Sequence, residues 1–454
     1  MKALTAATLA TLLAAMPATG EIAQAGAHRG ASGQPVDRYT VIHAGLLLAV
    51  PGKKPRSNMT IVVRNEHVER IESGFAGAGD IGASPDSDIE VIDLSEHFVL
   101  PGLMDSHVHL NREPSRGRRR AQRGDRDTDT RAESAVNAMV FARRTLAAGF
   151  TTVRDVGSDD QSVFAVRDAI DAGRMIGPRI LVSGSALAVT GGHGDSISME
   201  DTGRPGARLA DGTCDGPVEC RKAVRYQYKL GADLIKFTST GGFGSNTGLE
   251  PQLFVDEIQA IVETAHLLGM KATTHAYSAV AIKDAIRAGV DSIEHGFLLD
   301  DEAIEMMKDE GVFLVPTISA SYPPPIFNIP DPPSVKLRNE YRAFERAHAA
   351  GVRIAFGTDA GTFRHGTNAK EFEMMVGFGM SEMEAIHAAT VSTAELYGIA
   401  DEAGTLEPGK LADIVAVTGD PLADIAALRD IDFVMKSGAV AKRGGRMTDA
   451  FANE

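Results

Sequence analysis

The stretch Gly231-Ala232-Asp233-Leu234-Ile235-Lys236 holds one phrase that runs through the chain: a glycine that ends a helix, an apolar strand, and a polar residue that closes it. Glycine suits a helix C-terminus because it tolerates the left-handed cap. The phrase recurs from Gly149 to Asp155, Gly269 to His275, Gly289 to His295, Gly311 to Thr317 and Gly351 to Asp359. Phe98 to Asp105, leading into His107, and Arg179 to Ser183 supply the remaining strands, so strand and helix alternate eight times. Alternation implies a parallel sheet, and eight continuous apolar strands favour a closed (β/α)8 TIM barrel over a doubly wound sheet. Such barrels carry their chemistry at the C-terminal ends of the strands, where the polar residues of the phrase fall.

The predicted barrel spans residues 99–403. On either side the pattern changes to short β-rich runs broken by turn signals, which predicts one β-sandwich composed of residues 38–98 and 404–450. The length of 454 residues fits this division, since a barrel alone takes ~250. Residues 1–25 read as a signal peptide: Met1-Lys2, an apolar Ala/Leu-rich stretch, and small residues at Ala23-Gln24-Ala25, with Ala18-Thr19-Gly20 as a second cleavage site. A disordered Ala-rich tail is the alternative. Export to the periplasm or medium follows from the first reading, and no later segment approaches the ~20 apolar residues of a membrane span. The net charge of −15 argues against nucleic acid as a partner. Cys214 and Cys220 are the two cysteines; they lack partners at zinc-ligand spacing, and either a disulfide or two free thiols fits. A homo-oligomer is left open.

The chemistry begins at Asp105-Ser106-His107-Val108-His109. Side chains at i and i+2 of a strand share a face, so both imidazoles can point into a barrel mouth and grip one metal ion. His275 and His295 close two later strands and Asp359 the last, which brings four histidines and an aspartate to one rim. Structural histidines explain His266, His348 and His387 in helical patterns, but explain poorly four at equivalent strand ends. Lys236 closes a strongly apolar strand, where an ammonium would be desolvated and would repel metal ions. Carboxylation by CO2 turns the amine into a carbamate able to hold two metals; a snorkelling or salt-bridged lysine is the alternative.

These segments resemble the amidohydrolase superfamily in its binuclear, carboxylated-lysine branch. The matching motifs are Leu100 to His109, Ile235-Lys236, Thr274-His275-Ala276-Tyr277, Ser292-Ile293-Glu294-His295-Gly296, Gly357-Thr358-Asp359-Ala360-Gly361 and the tail phrase Gly404 to Asp413. The resemblance implies two divalent ions, zinc by default. His107, His109 and Asp359 would hold the buried ion, His275 and His295 the more exposed one, and N-carboxylated Lys236 would bridge them. Two metals lower the pKa of a water held between them and polarise the substrate carbonyl, while Asp359 moves the proton. Tyr277, two residues past His275, and His193, on the glycine-rich loop Val189 to Gly194, resemble the substrate-facing pair of the prolidase-like and Xaa-Arg dipeptidases and the ochratoxin-degrading enzymes. Rim packing of Tyr277 and a non-catalytic loop role of His193 are the plainer readings.

Arg364 and His365 follow the last strand and are candidates to bind a substrate carboxylate. The arginine-rich run Arg112 to Arg131, with Arg118-Arg119-Arg120 at its centre, reads either as a lid that meets acidic substrates or as a solvated loop diluted by Asp125, Asp127 and Asp129. The expected activity is hydrolysis of an amide next to a free carboxylate, in a dipeptide or N-acyl amino acid. Ester, lactone, phosphotriester and cyclic-amide hydrolysis suit the same centre. A non-catalytic scaffold is the rival of another class, disfavoured because all six expected ligands are present.

Overall fold

A computed structural model describes residues 36–114, 131–158, 161–195, 212–242, 247–320 and 335–448. The expected signal segment 1–25 lies outside them, as do Arg118 to Arg120 with Asp125, Asp127 and Asp129. The first four strands are β1 (Arg38–Leu47), β2 (Arg56–Arg64), β3 (His67–Ser73) and β4 (Asp88–Pro101). Seven parallel strands follow: β5 (Leu103–Val108), β6 (Phe150–Asp155), β7 (Arg179–Val182), β8 (Leu234–Thr238), β9 (Lys271–Ser278), β10 (Ser292–Leu298) and β11 (Phe313–Val315). The tail contributes β12 (Ile414–Val417), β13 (Ile431–Lys436), β14 (Ala439–Arg443) and β15 (Arg446–Met447).

Both ends of the chain pair in one eight-stranded sheet, ordered β15-β14-β13-β12-β4-β1-β2-β3. The segment expected to form a sandwich is thus hydrogen-bonded as a single continuous sheet. β4 is its hinge: it runs parallel to β1 and, through Phe98 to Pro101, antiparallel to β12. Period-2 alternation then divides the side chains. Val99, Ile414 and Ala416 pack with Ile42, Ile61 and Phe433 in the core of the sheet module, whereas Phe98, Leu100, Val415 and Val417 join the main α/β core. One pair of strands therefore welds two cores.

The α/β part contains the parallel sheets β5-β6-β7 and β8-β9-β10-β11. Parallel single bridges continue each ladder, at Leu187–Phe237, Leu314–Ile354 and Val108–Ala360. Phe150, Phe356 and Phe372 fill the space between the strands and the Lys370–Gly377 helix, with ring centroids 4.3 to 6.5 Å apart. Truncating one of them to alanine costs ~3–5 kcal/mol by transfer and cavity terms. The six glycines of the repeated phrase all have positive φ, from 67° to 93°; Gly231 caps the Pro217–Leu230 helix in this way.

Candidate metal centre

His107 and His109 lie at the end of β5 and just past it, both buried. His107 Nδ1 is 2.7 Å from Glu294 Oε2, and His109 Nδ1 is 2.9 Å from the Gly157 carbonyl oxygen. Their Nε2 atoms therefore face Asp359 Oδ1, at 3.6 and 3.2 Å. His295 Nδ1 is tied to Thr317 Oγ1 at 2.7 Å. Ligand atoms of His107, His295 and Asp359 lie within 4.8 Å of one another. His275 joins through its ring, 4.5 Å from that of His295, and its Nε2 is 3.2 Å from the Gly241 carbonyl oxygen.

Three of these strand ends adopt backbone that L-residues avoid: φ is 74° at His295, 49° at Thr317 and 60° at Asp359. Such residues cost ~1–3 kcal/mol each and persist only where the surroundings fix them. Here Asp359 N donates to the His107 carbonyl at 2.7 Å and Thr317 N to that of Gly357 at 3.1 Å. The strained positions carry the aspartate, the imidazole and the hydroxyl that holds the imidazole.

Burial pushes the imidazoles of His107, His275 and His295 well below their ordinary range, assisted by Lys236 at His107, by His295 at His275 and by His107 at His295. They are neutral at pH 7, the form that donates a lone pair to a metal. Burial works against the Asp359 charge, yet His109 and His107 hold its carboxyl below the ordinary value. Its Oδ1 is buried with no hydrogen bond among the described residues. Burial pushes the Lys236 amine down to about 8, with Glu294 opposing and Arg154 assisting. That amine forms no described hydrogen bond or salt bridge either. A buried carboxylate oxygen with no described hydrogen bond and neutral imidazoles are the donor set a cation would satisfy.

His193 stands over the cluster, its ring 4.3 Å from that of His275, and burial lowers its pKa to about 4. Its loop is clamped: His193 N donates to Gln252 Oε1 at 2.9 Å and Thr190 to Asp215, while Thr213 bridges to Ala188. A Cys214–Cys220 disulfide fastens that segment to the helix behind it. Tyr277 stacks on His295 at 5.3 Å and meets Phe297 at 5.1 Å. His365 is buried, its Nε2 3.1 Å from the carbonyl oxygens of both His109 and Arg112 and its ring stacked on Phe141 at 4.9 Å. Arg364 is exposed on the same turn.

Sequence reading passed over the layer beneath the ligands. Glu294 joins His107 to Arg154, whose Nη2 lies 2.7 Å from Glu294 Oε1; Thr273 and Ser292 also donate to this oxygen. Asp105 accepts from Thr358 Oγ1, Thr358 N and Asn368 Nδ2, pinning β5 to the Asp359 loop. The available signal was two opposite charges, Arg154 and Glu294, inside strands otherwise suited to burial.

A parallel α/β core with imidazoles, a carboxylate and a buried lysine at its strand ends is the architecture of hydrolases that work through bound metal. The chain belongs to the amidohydrolase family, whose sequence profile matches residues 98–441. It is 31% identical over 440 residues to ochratoxinase of Aspergillus niger, covering 90% of this chain and 88% of that one. A solved Xaa-Pro dipeptidase with methionine bound in its active site is 40% identical, with a TM-score of 0.79 over 89% of this chain and 100% of that one. A prolidase complexed with N-methylphosphonate-L-proline is 29% identical, with a TM-score of 0.77 over the same shares.

Proposed function

We propose that the chain is an exported binuclear metallo-amidohydrolase that cleaves an amide bond next to a free carboxylate, in a dipeptide or N-acyl amino acid. The observation that carries this reading is the Lys236 amine: buried, without a hydrogen bond or ion pair among the described residues, on a strand of the same parallel set as those that carry His107, His275 and His295. A neutral amine there attacks CO2, loses a proton and becomes a carbamate anion. The relatives support the substrate class, since Xaa-Pro dipeptidase and prolidase are the names of similar structures. The single bridges continuing each parallel ladder support a closed eight-stave barrel over 99–403. The shared core of β1, β2, β4, β12 and β13 supports a sheet folded on itself into a sandwich over 38–98 and 404–450. A buried disulfide suits an oxidising compartment, which supports a signal peptide at 1–25.

His107, His109 and Asp359 would hold one ion, His275 and His295 the other, and carboxylated Lys236 both, with zinc as the default. Bound there, the ions supply a water acidic enough to attack at neutral pH and polarise the scissile carbonyl. The chain's own groups do the rest. Asp359 Oδ1, which faces the His107 and His109 Nε2 atoms and has no hydrogen bond among the described residues, accepts the proton of the attacking water and returns it to the leaving nitrogen. Tyr277 and His193 flank His275 and stand where developing negative charge on the substrate oxygen is stabilised. Phe297 packs against Tyr277 and His295 and keeps water from that side.

The test is metal analysis of the purified chain together with a panel of dipeptides, N-acyl amino acids, lactones and phosphotriesters. Close to two ions per chain and selective turnover of the carboxylate-bearing amides are expected. Full activity without metal, or turnover confined to lactones or phosphotriesters, would overturn the reading.

A further inference from the structure

The segment Asn368-Ala369-Lys370-Glu371 opens the Lys370–Gly377 helix and sends two buried polar side chains to two different strand ends. Asn368 Nδ2 donates to Asp105 Oδ2 at 2.7 Å, and Gly366 N donates to Asn368 Oδ1 at 3.0 Å. The second bond fixes which end of the amide faces Asp105, because only its nitrogen can donate to a carboxylate. Glu371 turns the other way and accepts from Ile318 N and Ser319 N, both at 2.7 Å.

Each arm stops one contact behind the metal cluster. The Asp105 carboxylate that Asn368 engages also accepts from His107 N at 3.1 Å and from Thr358 N and Oγ1 at 3.0 and 2.6 Å. Thr358 Oγ1 in turn accepts from Ala360 N at 3.1 Å, so Asp359 is bracketed on both sides along the chain. Ile318 and Ser319 follow Thr317, whose hydroxyl holds His295 Nδ1 at 2.7 Å. Ser319 Oγ also reaches the Thr358 carbonyl at 3.5 Å and ties the two ends to each other.

Asp359 and Thr317 are two of the three strand-end positions with positive φ, and such backbone persists only where the surroundings over-determine it. The start of one helix supplies that constraint to both. It is itself fixed: Phe372, the next residue, packs on Phe356 and Phe150 with ring centroids 4.3 and 6.5 Å apart. On the outer side Glu373 pairs with the exposed Arg429.

We propose that Asn368 and Glu371 are positioning residues of the metal centre, a claim that rests on the reading of Asp359 and His295 as ligands of the two ions. Through Asp105 and Thr358, Asn368 sets Asp359 against His107 and His109. Through the turn after Thr317, Glu371 sets His295. Because both arms leave one rigid turn, they fix the spacing between the two half-sites, and the ions meet ligands already in place.

The experiment is stepwise zinc titration of the full chain against a chromophoric chelator, with the cobalt(II) absorption spectrum recorded at full loading. It compares the parent with Asn368→Ala, Asn368→Asp, Glu371→Gln and Arg429→Ala. Asn368→Asp keeps the size of the side chain but sets a second carboxylate against Asp105. In both Asn368 variants one ion should bind about 10- to 100-fold more weakly, in Glu371→Gln the other should weaken about 10-fold, and the cobalt bands should move in all three. Arg429→Ala loosens the outside of the same helix, so unfolding stability should fall while both affinities and the bands stay as in the parent. Parent-like affinities and bands in the Asn368 and Glu371 variants overturn the proposal and leave the two-ion reading standing. So does weakening that Arg429→Ala reproduces, or failure of both Asn368 variants to fold, since each marks a purely structural role. A parent that binds fewer than two ions overturns the two-ion reading itself.

Discussion

His107 Nδ1 and Glu294 Oε2 lie 2.7 Å apart, and both side chains are buried. The contact fixes the ring and its tautomer so that Nε2 faces Asp359, and the carboxylate makes that nitrogen a stronger donor. The other Glu294 oxygen holds Arg154, so one carboxylate aligns a ligand and neutralises a buried guanidinium. Glu294→Gln should therefore weaken metal binding about 10- to 100-fold. A chelator competition measures it, and an unchanged affinity would show that the pair only stabilises the fold.

Asp359 is the carboxylate whose oxygen groups with the ligand atoms of His107 and His295, held ionised by His109 and His107 against its burial. Asp359→Asn keeps the shape and an oxygen donor while removing the proton acceptor. Turnover should fall about 10²- to 10⁴-fold with much of the metal retained. The check is kcat set beside metal content in one preparation; near-normal kcat removes the proton-transfer role.

Lys236→Ala removes the amine on which the carbamate would form and leaves a gap in a buried strand end. Metal and activity should both be lost, with partial recovery in added acetate or propionate, whose carboxylate replaces the carbamate. Metal content and rate measured against carboxylate concentration give the answer. Full metal loading of the variant without additive would refute the bridging role.

The repeated glycine-strand-polar phrase made the parallel core legible, because a helix C-terminus needs a left-handed residue and the six glycines take that conformation. The convergence of His107, His275, His295 and Asp359 was legible for the same reason: they close equivalent strands. Glu294 was not. It neighbours His295 on β10, and strict alternation would turn the two side chains to opposite faces. The positive φ at His295 breaks that alternation, and backbone strain leaves no mark on residue type. Nor could sequence tell how His365 faces, since its partners are carbonyl oxygens, which every residue has.

The Cys214–Cys220 disulfide closes a short loop, seven residues inclusive, for which the chain-entropy account gives about 2–3 kcal/mol. Its position adds a functional consequence. Cys214 N donates to the Ala188 carbonyl at 2.8 Å, and neighbouring Asp215 holds Thr190, so the bridge steadies the turn that carries His193. A Cys214→Ala/Cys220→Ala double variant should lose about that stability in denaturant unfolding and should raise KM more than it lowers kcat. An unchanged KM would confine the disulfide to stability.

Glu371 supplies the pH dependence. Its buried carboxylate accepts from Ile318 N and Ser319 N, both at 2.7 Å, and so anchors the turn beside Thr317, the partner of His295. Burial pushes its pKa from 4.5 up to about 7, against the pull of these hydrogen bonds. Because the folded value lies above the unfolded one, the native state keeps a proton that the unfolded chain has released between these limits. Its contribution is full below about pH 4.5 and is lost as pH rises through 7, a change of order 3 kcal/mol. Glu371→Gln cannot titrate, so the parent should lose stability relative to the variant between pH 4.5 and 7.5. Denaturant unfolding of both at equal metal loading measures the difference. Parallel stability curves would mean that Glu371 stays ionised in the folded protein, with its backbone hydrogen bonds outweighing its burial.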